Sequence, residues 1–138
     1  MQKVTITTTV NAPLATVWNA WTQPEHITEW NHASDDWHCP TATNDLQIGG
    51  KFLARMEDIK SGEGFDFEGE YLDVTPHEKI VYVLGDGREV AITFVEDNQG
   101  VLVTETFDAE GENEIELQRQ GWQMILDNFK KHAESLID

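Results

Sequence analysis

The stretch Val101 to Leu136, VLVTETFDAEGENEIELQRQGWQMILDNFKKHAESL, changes its hydrophobic period partway along. Val101, Val103, Glu105 and Phe107 occupy alternate positions, the pattern of a half-buried strand. From Glu114 the repeat becomes helical, and Gln118, Trp122, Ile125, Phe129 and Leu136 trace one face. Glu112, Glu114 and Glu116 sit near the start of that helix and Lys130, Lys131 and His132 near its end, which suits the helix dipole. A strand that runs into a long amphipathic helix requires the helix to bury its stripe against a sheet. Trp122 is expected deep in that interface, beside Ile125 and Phe129.

Reading backwards, the chain is a series of hairpins. Glu89 to Glu96 pairs with Val101 to Phe107 across Asp97-Asn98-Gln99-Gly100, and Gly85-Asp86-Gly87 links the first of these to Lys79–Leu84. Pro76-His77-Glu78 turns out of Phe65–Val74, and Ser61 to Gly64 joins that strand to Lys51–Asp58. Gly49-Gly50 makes a tight turn before it, and Trp37 to Thr43 is assigned as a further strand. Near the N-terminus, residues 3 to 10 alternate as a strand rich in Thr and Val. Asn11-Ala12-Pro13 then starts a helix carrying Leu14, Val17, Trp18 and Trp21, and Pro24 starts a second with Ile27 and Trp30. The order is strand, two short helices, a meander of about six strands, and one long helix.

Such a sheet curling about one helix leaves a hollow between them. Alternation sends Phe52, Ala54 and Met56 to one side of their strand, and Phe65, Phe67 and Tyr71 to one side of the next. Ile80, Tyr82 and Leu84, then Val90, Ile92 and Phe94, continue the face, and Glu105 falls among apolar neighbours. Trp30, Trp37, Phe52, Phe67, Tyr82, Phe94 and Trp122 either line the hollow or fill it. Glu105 has two readings. Facing an apolar hollow, its pKa rises and it serves as an anchor or general base; otherwise it pairs with Arg55 or Arg88, or a slipped strand phase leaves it in water.

Composition narrows the function. Nine basic against 26 acidic residues give a charge of -17, and no Lys/Arg cluster exists to neutralise phosphates. Nucleic acid and anionic membrane surfaces are excluded as partners. No apolar run approaches the roughly 20 residues of a membrane span. A single cysteine, Cys39, cannot form an internal disulfide, which points to the cytoplasm. The 138 residues are expected to form one domain, 1–138.

The segment Trp30 to Pro40 carries His32, Asp35, Asp36, His38 and Cys39, all potential metal ligands. No paired ligand spacing recurs among them, so neither a metal nor another cofactor is expected. Instead the segment is expected at the hollow's entrance, with Asp36 and His38 orienting a ligand and Trp30 and Trp37 adding apolar area. His38 and Cys39 are adjacent on an assigned strand and face apart, so a thiol nucleophile is not expected. Gly49-Gly50 lacks the following Lys-Ser or Lys-Thr of a phosphate cradle.

Four segments resemble one known family. Val10 to Trp18 resembles its opening strand and Ala-Pro helix start. Pro24 to Trp30 resembles its Pro-x-x-(aliphatic)-x-x-Trp second helix. Asp45-Leu46-Gln47-Ile48-Gly49-Gly50-Lys51-Phe52 resembles its Gly-Gly turn, with Gln47 where an Arg is usual. Gly121-Trp122 with Leu126 resembles its closing helix. The family is the activators of heat-shock-chaperone ATPase homologues, START-like domains of the SRPBCC group. The resemblance implies an α+β helix-grip fold, like the birch-pollen allergen. That fold has a curved antiparallel sheet of six to seven strands, two short N-terminal helices and a long C-terminal helix across the sheet. It also implies an apolar or aromatic small molecule as ligand, and brings a heat-shock chaperone into the set of partners. The expected binding residues are Trp30, Trp37, His38, Phe52, Met56, Phe67, Tyr82, Phe94, Glu105 and Trp122, in a monomer or homodimer. An enzyme of cyclase or hydrolase type, using Glu105 as a pocket acid, is the alternative; the residues alone do not decide between them.

Overall fold

The structure, a computed structural model, describes residues 2–137. The Thr/Val alternation forms β1, Lys3–Val10, which buries Val4, Ile6 and Val10. Pro13 opens α1, Leu14–Thr22, where a missing amide costs nothing because first-turn amides have no helical acceptor. After Gln23 comes α2, Pro24–Trp30. Trp30 Nε1 donates to the Ala20 carbonyl at 2.8 Å, which ties the two short helices together.

The meander consists of β2 (Trp37–His38), β3 (Ala42–Asn44), β4 (Lys51–Asp58), β5 (Gly64–Thr75), β6 (Lys79–Leu84), β7 (Glu89–Asp97) and β8 (Gly100–Asp108). All pairings are antiparallel, in the order β1-β8-β7-β6-β5-β4, with β2 and β3 sharing the outer side of β4. The sheet thus has seven strand positions, six of them filled by long strands. The strand expected from Trp37 to Thr43 is two pieces, because Pro40 between them has no amide for a ladder. A register shift between Tyr71 and Asp73 bends β5.

The closing helix, α3, is Ile115–Ser135, and it packs over β1 and the two short helices. Gln118, Leu126, Phe129 and Ala133 are its buried residues. Leu136, expected on this face, is 40% exposed, because the helix has ended and passed the rim of the core. Three polar side chains of α3 reach the free edge of β1. Arg119 Nη1 donates to the Thr5 carbonyl (3.1 Å), Gln123 Nε2 to that of Thr7 (3.3 Å) and Lys130 Nζ to that of Thr9 (2.6 Å). These alternate carbonyls point away from β8 and have no strand partner.

The core is densest where α1 and α2 meet the sheet. Trp21, Trp30 and Phe129 form a triangle of rings with centroids 4.8 to 5.0 Å apart. Beyond that cluster the space under α3 is not filled.

Candidate functional site

A cavity of about 370 Å³ lies between the sheet and α3, with Trp21, Ile27 and Trp30 as its inner wall. Strand β4 contributes Phe52, Ala54 and Met56 to its floor, β5 Phe67 and Tyr71, and β6 Ile80 and Tyr82. Trp122 and Ile125 of α3 roof it, and Arg88 and Glu110 come from loops at one end. The aromatic floor depends on a glycine. Gly69 lies opposite Phe52 on β5, and a Cβ there would stand 2.8 Å from Phe52 Cε2 and 2.9 Å from the Val83 carbonyl. Without a side chain at 69, the Phe52 ring lies over the sheet, 4.7 Å from Tyr82 and nearly perpendicular to it.

Trp122 is half-buried, and the expectation of deep burial is corrected. One face of its ring stacks on Phe107 at 4.1 Å with planes 9° apart, and Phe67 meets it edge-on. The rest of its surface borders the void, so fewer atoms cover it than in a filled core.

Glu105 is the polar feature of the floor. It is 6% exposed, with Ile6 and Ile92 beside it on the neighbouring strands. No hydrogen bond or ion pair meets its carboxyl among the described residues, and burial pushes its pKa up to about 8. The ion pairs considered for it do not form. Arg55 is held by Glu57 (3.0 Å) and Asp66 (3.3 Å), and Arg88 by Asp86 (2.7 Å). The Tyr82 hydroxyl, also buried, is pushed well up by burial and by the nearby Glu105 charge. Tyr71, in contrast, is satisfied: its hydroxyl donates to Asn44 Oδ1, and Asn44 Nδ2 donates to the Thr22 carbonyl at 2.6 Å.

The loop after β8 is fastened to the roof. Gln118 Oε1 accepts the Glu110 amide at 2.8 Å, and its Nε2 donates to the Glu110 and Asn113 carbonyls at 3.2 and 2.8 Å.

Of the residues singled out from sequence, Trp30, Phe52, Met56, Phe67, Tyr82, Glu105 and Trp122 come together around the cavity. Phe94 does not line it. That side chain shares their face of the sheet but sits under α1, edge-on to Trp18 and Trp21 at 5.4 and 5.8 Å. Trp37 and His38 also stay outside the lining. The Trp37 ring lies 6.1 Å from Phe65, and His38 Nε2 is 3.7 Å from Glu57 Oε1 on the outer edge. Cys39 is buried, with its thiol pushed up to about 11 by desolvation, a state unsuited to nucleophilic attack. Among the described residues, no three His, Cys, Asp or Glu side chains gather as metal ligands. Trp21, Tyr71, Arg88, Glu110 and Ile125 are among the further lining residues and were absent from the expected set. Trp21 and Ile125 were visible as helical stripe residues, whereas the loop residues Arg88 and Glu110 carried no periodic signal.

A curved antiparallel sheet that holds an apolar cavity beneath a C-terminal helix defines the helix-grip class of START-like domains. Within that class, the chain belongs to the activator of Hsp90 ATPase homolog 1-like family, whose sequence profile matches residues 11–134. It is similar to the AHSA1-like protein of Aeromonas hydrophila, solved in solution, at 40% identity and a TM-score of 0.92, covering 97% of this chain and 93% of that one. A Cytophaga hutchinsonii protein, also solved in solution, is 42% identical with a TM-score of 0.83, covering 96% and 92% of the two chains. A Chromobacterium violaceum protein shares the fold, with a TM-score of 0.87 at 21% identity, covering 97% and 99%. No curated protein matches the chain. No described helix is long and apolar enough to cross a membrane.

Proposed function

We propose that this chain is a binding domain that holds a small apolar or aromatic molecule between the curved sheet and α3. The observation that carries the reading is the void of about 370 Å³, walled mostly by aromatic and aliphatic side chains around one partnerless carboxyl. Small-molecule sites start at roughly 300 Å³ and combine apolar walls with a few polar groups. Filling the void removes ligand and wall surface from water, at about 25 cal/mol per Å². A cytoplasmic location accords with the single cysteine, Cys39.

The test is saturable binding of N-phenyl-1-naphthylamine, a neutral apolar dye, followed by fluorescence. The parent is expected to bind at micromolar Kd. Phe67→Trp and Met56→Trp, which fill the void, are expected to weaken binding by about tenfold, or 1.4 kcal/mol. Two folded variants that bind as the parent does would move the site elsewhere. Native mass spectrometry of protein from its host adds the retained ligand as extra mass.

Two other readings have support of their own. A carboxyl held at about 8 inside a cavity suits general acid–base catalysis, and conversion of a bound molecule, absent in Glu105→Gln, is its sign. The family description supports a heat-shock chaperone as partner, for which co-purification is the test.

A further inference from the structure

We infer that the ligand is a small amine, with an apolar or aromatic body filling the cavity and an ammonium group paired with the Glu105 carboxyl. The inference rests on the binding reading above and adds the ligand's charge. Glu105 is 6% exposed, borders the cavity, and meets no donor among the described residues. Its flanking residues Ile6 and Ile92 offer none. A carboxyl in that state, facing the cavity, is held in its neutral form, and a cation entering the cavity would favour the ionised one.

No cation of the protein itself fills that role. Arg88 is the one cationic side chain among the lining residues, and Asp86 holds it at 2.7 Å. The walls favour a cation as well. Rings of Trp30, Phe52, Phe67, Tyr82 and Trp122 surround the void, and aromatic faces attract ammonium groups. Glu110 adds a second acidic group at the same cavity, and the net charge of -17 concentrates cations around the protein while repelling carboxylate ligands.

The proton balance follows from the same contacts. Desolvation keeps Glu105 largely protonated near neutral pH, and an ammonium group beside it stabilises the carboxylate. Binding therefore sends the Glu105 proton to solvent. The other titratable groups at the cavity are Tyr71, bonded to Asn44, Tyr82, Arg88 and Glu110. The helices contribute no titratable group: α1 gives Trp21, α2 Ile27 and Trp30 with Asn31 just past its end, and α3 Trp122 and Ile125.

The experiment compares three probes of one shape by calorimetry at pH 7: 1-naphthylmethylamine, 1-naphthylmethanol and 1-naphthoate. Each is titrated in two buffers of different ionisation heat. The amine is expected to bind the parent about tenfold or more tighter than the alcohol, with naphthoate weakest and about one proton released per amine. In Glu105→Gln the amine is expected to lose about tenfold while the alcohol changes less than about threefold. Circular dichroism checks that the variant folds; if it does not, the three-probe ranking on the parent decides. An alcohol or carboxylate that binds as tightly as the amine overturns the inference and leaves the binding reading standing. Binding of none of the three overturns both.

Discussion

Glu105 makes the fold itself sensitive to pH. Its folded-state pKa of about 8 lies above the ordinary 4.5, because burial penalises the charged form. A group raised in this way contributes stability that is fully present below about pH 4.5 and is lost as pH rises through about 8. The span between the two values corresponds to at most roughly 5 kcal/mol. Glu105→Gln keeps the shape and removes the titration. Denaturant unfolding of both proteins from pH 5 to 9 is expected to show the glutamine variant gaining several kcal/mol on the parent as pH rises. Parallel curves would mean that Glu105 reaches water. Tyr82, whose hydroxyl the Glu105 charge also raises, stays protonated across this range, so the difference isolates Glu105.

At the scale of elements, α3 protects the edge of the sheet. Its Arg119, Gln123 and Lys130 occupy the Thr5, Thr7 and Thr9 carbonyls of β1, which would otherwise offer a pairing edge to another chain. Replacing all three by alanine is expected to cost about 2 kcal/mol and to increase self-association. Light scattering after size-exclusion chromatography, with thermal unfolding, reads both effects; a triple variant matching the parent in both would remove this role from α3. The hydrogen bonds behind this role are invisible to hydrophobic periodicity, because they join polar positions on two elements. What periodicity did expose was the elements themselves and the inward set of β4, β5, β6 and β8, where one face is buried; on β5 the alternation holds only as far as Tyr71, where the register shifts. It failed at Trp37 and His38, since Pro40 interrupts the ladder on which the alternation depends. Phe94 shows a different limit: period two assigns the face, but only the docking of α1 determines which part of that face is filled. Arg88 and Glu110 reach the cavity from loops, where no period exists to read.

The whole molecule carries a charge of -17, and compaction brings these charges closer together. Among the described residues no ion pair joins two buried side chains; each has a partly or well exposed member, as in Lys79–Asp73. Self-repulsion therefore weighs against the folded state and is screened by salt. Raising sodium chloride from 20 to 500 mM is expected to lift Tm by roughly 3–5 °C, about 1 kcal/mol for a chain of this size. A Tm that falls or stays level would show that local ion pairs outweigh the global field. The same field favours the encounter with cationic solutes and slows that with anionic ones.

The three hydrogen bonds of Gln118 have a mechanical consequence. They join the segment bearing Glu110 to the helix one turn before Trp122, so the rim and the roof of the cavity are parts of a single lever. A force that lifts the segment also strains the first turns of α3, and fraying of those turns frees the rim. Amide exchange across residues 115–122 would report how often rim and roof open together.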